Sequence, residues 1–168
     1  MADDADSPGP IDSLETSAQG QCLNEIADAI IDLALDGIDG NVWIRDPPTL
    51  AGIALPCVVL TPYAPSHSPA DGSASQPDFT FRVMAAVVKA SGRKVNFTLG
   101  ERLAWYDALI RRFAKRGATF NLDGDVADVQ LLYTTVEPGD PRIIAAWEVS
   151  FDAIWMSIGC YVRYPSSA

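Results

Sequence analysis

The strongest constraint on the fold is a long alternation near the end of the chain. Between Ile143 and about Ile158, apolar residues occupy every second position. The alternating apolar residues are Ile143, Ala145, Trp147, Val149, Phe151, Ala153 and Trp155, and the residues between them include Glu148, Ser150 and Asp152. Side chains of a strand point alternately to its two faces, so this pattern predicts a long β-strand with one apolar face.

Other segments predict further strands. A second long alternation predicts a strand from Asp78 to Ala90, with Phe79, Phe81, Val83, Ala85 and Val87 on one face. The remaining strand candidates are Asn41 to Arg45, Leu55 to Pro62, and Val126 to Val136. Prolines bracket the run Leu55 to Pro62, which indicates an edge strand or a strand end. The segment Glu137 to Pro141 predicts the turn between the last two strands.

Two segments have the three- and four-residue apolar spacing of amphipathic helices. The first runs from Gln21 to Asp36, with Gly37 and Gly40 as stop signals. The second runs from Leu99 to Phe113, begins with a capping box of Thr98 and Glu101, and is stopped by Gly117. Its expected core stripe is Leu99, Leu103, Tyr106, Ile110 and Phe113, with Leu109 beside it.

The order of elements is therefore α-β-β-β-α-β-β. This order predicts an α+β fold in which an antiparallel or mixed sheet of about five strands carries two helices on one face. We expect an acidic mobile arm over residues 1–18, a single domain over 19–164 and a short tail over 165–168. The Pro- and Ser-rich segment from Tyr63 to Pro77 predicts a long exposed loop.

The net charge of −10 is concentrated at the start of the chain. Ten acidic residues precede Arg45, which is the first base, and the rest of the chain carries twelve acids and twelve bases. This distribution argues against a sequence-reading nucleic-acid binder, which normally has a basic surface. It fits a basic protein partner, a surface that must repel DNA, or a solvated face that serves solubility alone.

The sequence offers little for catalysis, metal binding or membrane insertion. No apolar stretch is long enough to span a membrane, and no export signal opens the chain, so we expect a soluble protein. Cys22, Cys57 and Cys160 are far apart and predict buried reduced thiols, while His67 is the one histidine. We therefore expect no catalytic site, no metal, no cofactor and no enzyme activity.

Candidate contact residues for a neighbouring subunit or partner lie in three places. Four bases close the second helix, with Arg111 and Lys115 on one side and Arg112 and Arg116 on another. These bases are expected to meet the acidic first segment of a neighbour. The remaining candidates are Tyr63, His67 and Asp71 in the expected loop, and Glu137 and Asp140 in the expected turn.

The succession of elements resembles the tail terminator, or tail completion, proteins of long-tailed bacteriophages. The likeness is carried by the opening helix (Leu23 to Leu35), the proline-bounded strand Leu55 to Pro62 and the long strand Phe79 to Ala90. It continues through the helix Leu99 to Phe113 and the closing strand pair Val126 to Val136 and Ile143 to Ile158. The resemblance covers residues from about 20 to about 160.

The resemblance implies a structural virion protein assembled in the host cytoplasm. Such a protein forms a ring of six subunits that caps the tail tube and joins the tail to the head. Its partners would be further copies of itself, the tail tube protein and head-side connector proteins, with DNA passing through the channel without sequence-specific binding. Two alternatives stay open: a head-side connector or tail tube protein of the same virion, and a small ligand-binding α+β domain or enzyme with the loop Tyr63 to Pro77 as a lid.

Overall fold

The computed structural model describes residues 7–35, 37–46, 48–67, 79–91, 98–116, 130–139 and 151–163. These residues form a short 3₁₀ helix (Asp12–Thr16) and two α-helices, α1 (Ala18–Asp32) and α2 (Leu99–Phe113). They also form six strands: β1 (Val42–Ile44), β2 (Cys57–His67), β3 (Phe79–Ser91), β4 (Lys115–Arg116), β5 (Gln130–Pro138) and β6 (Phe151–Arg163).

The strands make one mixed sheet in the order β1-β2-β3-β6-β5-β4. β1 and β2 are parallel, and every other neighbouring pair is antiparallel. The longest pairing joins β3 to β6 at the centre of the sheet, where Val83 lies opposite Ile158. The predicted α+β class is confirmed. The sheet has one strand more than the five expected, and the additional strand is the two-residue β4, which the sequence pattern did not indicate.

Both helices pack on the same face of the sheet. The main core joins α1 and α2 to one set of strand residues, among them Leu60, Val83 and Ile158. On the opposite face, a smaller cluster contains Cys57, Val59, Ala86, Val88 and Ala153, with Leu50, Ile53, Leu55 and Trp155 packed against it. Ala153 and Trp155, which the alternation assigned to the apolar face of the last strand, thus lie away from the helices.

Residues 11–16, near the start of the chain, pack against α1. The buried Asn24 side chain accepts a hydrogen bond from the Ile11 N–H and donates one to the Ile11 carbonyl, both at 2.8 Å. A side chain at position 20 would overlap the Leu14 carbonyl oxygen, so only glycine lets the 3₁₀ helix sit this close. Within the expected arm of residues 1–18, the structure packs residues 11–16 against α1, and residues 1–6 lie outside the described part.

Two element ends differ from the sequence prediction for clear reasons. α1 ends at Asp32 because Ala34 has a positive φ of 49°, three positions before the expected stop at Gly37. β2 continues to His67, so residues 63–67 belong to a strand and not to a loop. Residues 68–78 lie outside the described part, as do residues 126–129 and 143–150 of the two closing strand predictions.

The edge strand that the prolines predict corresponds to the second half of β2. β1 pairs with residues 58–60 of β2. β2 continues to His67, past the end of β1. Pro62, which has no N–H to donate, lies in this outer half. Beside it, the Gln19 side chain donates a hydrogen bond of 3.2 Å to the Tyr63 carbonyl. Among the strands of the described residues, β2 is thus an inner strand at residues 57–60 and an edge strand further on.

Candidate subunit interface

Helix α2 has two apolar stripes, and only one of them faces the core. Trp105, Leu109 and Phe113 are buried against the sheet at four-residue spacing. Leu99, Leu103 and Ile110 are 72%, 57% and 46% exposed, and they are the exposed large hydrophobic residues in the described part of the chain. We call Leu99, Leu103 and Ile110 the α2 stripe.

The α2 stripe corrects the sequence prediction. Leu99, Leu103 and Ile110 were expected in the core, whereas Trp105 was not singled out. Tyr106 lies between the two stripes and is partly buried against the core. Periodicity alone does not tell which of two adjacent apolar stripes faces the sheet. The i, i+4, i+8 spacing of Trp105, Leu109 and Phe113 is the signal that could have identified the buried stripe.

The contacts at the end of α2 fix its position. Thr134 Oγ1 donates a hydrogen bond to the Phe113 carbonyl, which ties β5 to the last turn of the helix. Thr98 Oγ1 accepts a hydrogen bond of 3.2 Å from the Glu101 N–H at the other end, as the capping prediction requires. One end of α2 is thus tied to β5 and the other end is capped, so the α2 stripe lies on a well-formed helix.

The four bases at the end of α2 are divided among different surroundings. Arg111 Nε donates to Asp107 Oδ2 at 2.8 Å in an exposed i, i+4 ion pair next to the α2 stripe. Arg112 lies over the Phe113 ring, 5.3 Å from its centroid, and its charge acts on Glu25 of α1 within the same chain. Lys115 and Arg116 form β4 opposite Thr134 and Tyr133. The expected pairs Arg111 with Lys115 and Arg112 with Arg116 are therefore not helical neighbours, because α2 ends at Phe113.

The solvent side of α1 is acidic. Its exposed and half-buried positions include Glu25, Asp28 and Asp32, and Glu15 of the 3₁₀ helix lies close to them. Burial and the charges of Asp28 and Glu15 raise the pKa of Glu25, although Arg112 acts in the opposite direction. Burial and the charges of Asp32 and Glu15 raise the pKa of Asp28. Glu15, Glu25, Asp28 and Asp32 form what we call the α1 acidic face.

The sheet face without helices carries a polar and aromatic cluster around Arg82. Arg82 Nη1 forms an ion pair of 2.6 Å with Glu137 Oε2, which raises the pKa of Arg82. The Tyr133 and Tyr161 rings stack beside it with centroids 4.4 Å apart. Tyr63 also acts electrostatically on Arg82, so two interface candidates from distant parts of the sequence, Tyr63 and Glu137, meet here.

The Arg82 cluster also corrects the expected turn. Glu137 was expected in a turn that contacts a partner, but it belongs to β5 and pairs with Arg82 within the chain. Sequence reasoning did not single out Arg82, because its contact with a residue 55 positions away depends on the strand order. Of the other candidates, His67 ends β2 opposite Phe79, and Asp71 and Asp140 lie outside the described residues.

The surroundings of Cys57 and Cys160 keep these two thiols protonated. Cys22, Cys57 and Cys160 are all free and buried, as predicted. Burial raises the pKa of Cys57 to about 12, and a hydrogen bond with Cys22 together with burial raises the pKa of Cys160. A thiol attacks as its thiolate, so these environments suit packing and not nucleophilic catalysis.

The described residues contain no group of three or more histidine, cysteine or acidic side chains arranged to hold a metal ion. Within the same residues, neither helix is long and apolar enough to cross a lipid bilayer. Comparison of the whole sequence with known proteins found no matching family model and no similar curated protein.

Proposed function

We propose that this chain is a structural virion protein that assembles into a closed ring, as the resemblance to phage tail terminators implies. In this role, six copies would cap the tail tube and join it to head-side connector proteins. Its contribution would be shape and contact surface, without a chemical reaction.

The observation that carries the proposal is the α2 stripe. Soluble domains that act alone rarely align three large exposed aliphatic side chains on one helix, and such patches mark surfaces that are covered by a partner. Leu99, Leu103 and Ile110 contribute little to the fold of the single chain, because the buried stripe of α2 already packs the helix onto the sheet. A subunit of a larger assembly uses such a surface.

The outer half of β2 argues that subunits meet through their helices and not by extending the sheet at that edge. Pro62 lacks an N–H, and the Tyr63 carbonyl already accepts a hydrogen bond from Gln19. Both features are typical of edges that resist pairing with another strand. This supports a ring in which the helical faces of neighbouring subunits are in contact.

The charge distribution supports the same role. A ring that DNA traverses needs a surface that repels phosphate groups, and the net charge of −10 meets this need. An acidic chain is consistent with passage of DNA without binding.

Electron microscopy of the purified full chain, concentrated at low salt, tests the proposal. We expect rings with an axial hole and a subunit number that class averages can count. Particles of single-domain size at every concentration, together with monomer mass in sedimentation velocity, would contradict the proposal and favour the alternative of a small ligand-binding domain.

A further inference from the structure

The two helices of one chain offer complementary surfaces on the same side of the sheet. The α2 stripe is apolar and lies next to the exposed Arg111. The α1 acidic face includes the exposed Asp28 and Asp32, and the partly buried Ile31 lies to one side of them, three positions after Asp28. Leu14 and Leu33 are also only partly buried beside α1. The α2 stripe thus has a base beside it, whereas α1 carries acids and no base.

We propose that the α2 stripe of one copy docks on the α1 acidic face of the next copy. In this contact, Leu103 and Ile110 would cover Ile31, and Arg111 would approach Asp28 and Asp32. The proposal rests on the ring assembly proposed above and names the surfaces that form it.

Charge complementarity favours this arrangement over contact between two identical stripes. A two-fold contact of stripe with stripe buries Leu99, Leu103 and Ile110 but brings no base of the second copy to Asp28 and Asp32. It also brings two like surfaces together. A head-to-tail contact buries the stripe and places a base beside the acids, and its repetition gives a ring when the rotation between subunits closes.

Arg111 can form a contact with another subunit because its ion pair with Asp107 is exposed and therefore weak. The Arg111–Asp107 pair lies on the solvent side of α2, and exposed pairs of this kind are weakly held. Arg112 is in a different position, because it lies over the Phe113 ring and acts on Glu25 of its own chain. Arg111 is therefore the base of α2 that we assign to the neighbouring subunit.

Sedimentation velocity of surface variants of the full chain tests the apolar part of the contact. Leu103→Gln changes an exposed residue of the stripe, and Ala104→Gln changes an exposed neighbour outside it. We expect Leu103→Gln to raise the concentration needed for assembly at least tenfold, whereas Ala104→Gln leaves it within twofold. Circular dichroism melting verifies that both variants are folded.

A charge exchange tests the polar part. Arg111→Glu and Asp28→Arg should each weaken assembly severalfold, and the double variant should restore it, because the pair is then reversed across the contact. Weakening by both single changes without recovery in the double variant would contradict the pairing of Arg111 with Asp28.

The outcomes separate this proposal from the ring itself. Rings that form equally well with Leu103→Gln would overturn the docking surface and leave the ring assembly standing. A wild-type chain that stays monomeric at every concentration would overturn both.

Discussion

Helices α1 and α2 lie on the same sheet face and have the same length of 15 residues, yet the sheet buries them to very different extents. Ten residues of α1 are buried, and the rest of its surface is largely acidic. In α2 three residues are buried, and large aliphatic side chains face solvent. Amphipathic spacing identifies a helix, while the surface left over after packing bears on its role: α1 completes the fold, and we propose that α2 completes an assembly.

The sharpest test of this contrast compares the two stripes of α2. We expect Phe113→Ala to lower the free energy of unfolding by about 3 to 5 kcal/mol, because it removes a large, fully buried ring. Leu103→Ala should change it by less than about 0.5 kcal/mol, since this side chain is exposed. Urea denaturation of both variants measures the difference. Equal losses would mean that Leu103 packs in the core after all.

A second test concerns the attachment of the chain start to α1. Asn24→Ala should lower the free energy of unfolding by about 2 kcal/mol, because the Ile11 N–H and carbonyl lose their buried partner. Ser13→Ala, an exposed change in the same 3₁₀ helix, is the matched control and should stay within about 0.5 kcal/mol. Thermal melts at fixed protein concentration measure both. If Asn24→Ala behaves like the control, residues 9–16 are not part of the cooperative fold.

The N-caps of the two helices provide a third comparison. Ser17 Oγ accepts from the Gly20 N–H at 3.0 Å in a partly buried site, and Thr98 Oγ1 accepts from the Glu101 N–H at 3.2 Å in an exposed one. We expect Ser17→Ala to lower the free energy of unfolding by about 1 kcal/mol and Thr98→Ala by about 0.5 kcal/mol. Denaturant titration gives both values. The reverse order would contradict the view that α1 is the more important helix for the fold.

The smallest expected effect is electrostatic and lies on the α1 acidic face. The pKa values of Glu25 and Asp28 are raised above their ordinary 4.5 and 3.8, so the folded chain binds protons more readily than the unfolded chain. Their contribution to stability is therefore largest below these ordinary values and is lost as the pH rises through the folded pKa values.

Asp28→Asn removes part of this repulsion at neutral pH. We expect it to raise the free energy of unfolding at pH 7 by about 0.2 to 0.5 kcal/mol, and the gain should shrink as the pH falls toward 4. Thermal melts between pH 4 and pH 7 follow the trend. A gain that grows with acidification would show that Asp28 has a favourable partner at neutral pH.

The sequence predicted the fold better than the surface. The period-two alternations located β3 and part of β6, and the capping residues located the start of α2, because these signals are local. The ion pair of Arg82 with Glu137 depends on β3 and β5 flanking β6, an order that no local pattern contains. The exposure of Leu103 depends on which side of α2 faces the sheet, and this choice is made by packing.

Whether the α2 stripe is covered in the assembly can be measured by the accessibility of position 103. Single-cysteine labelling is suited to this, because Cys22, Cys57 and Cys160 are buried and should react slowly. We expect Leu103→Cys to react rapidly with a maleimide reagent in dilute monomer and at least tenfold more slowly in the assembled form, while Ala104→Cys keeps its rate. Equal reaction rates of the Leu103→Cys variant in the dilute and assembled forms would mean that the α2 stripe is not covered.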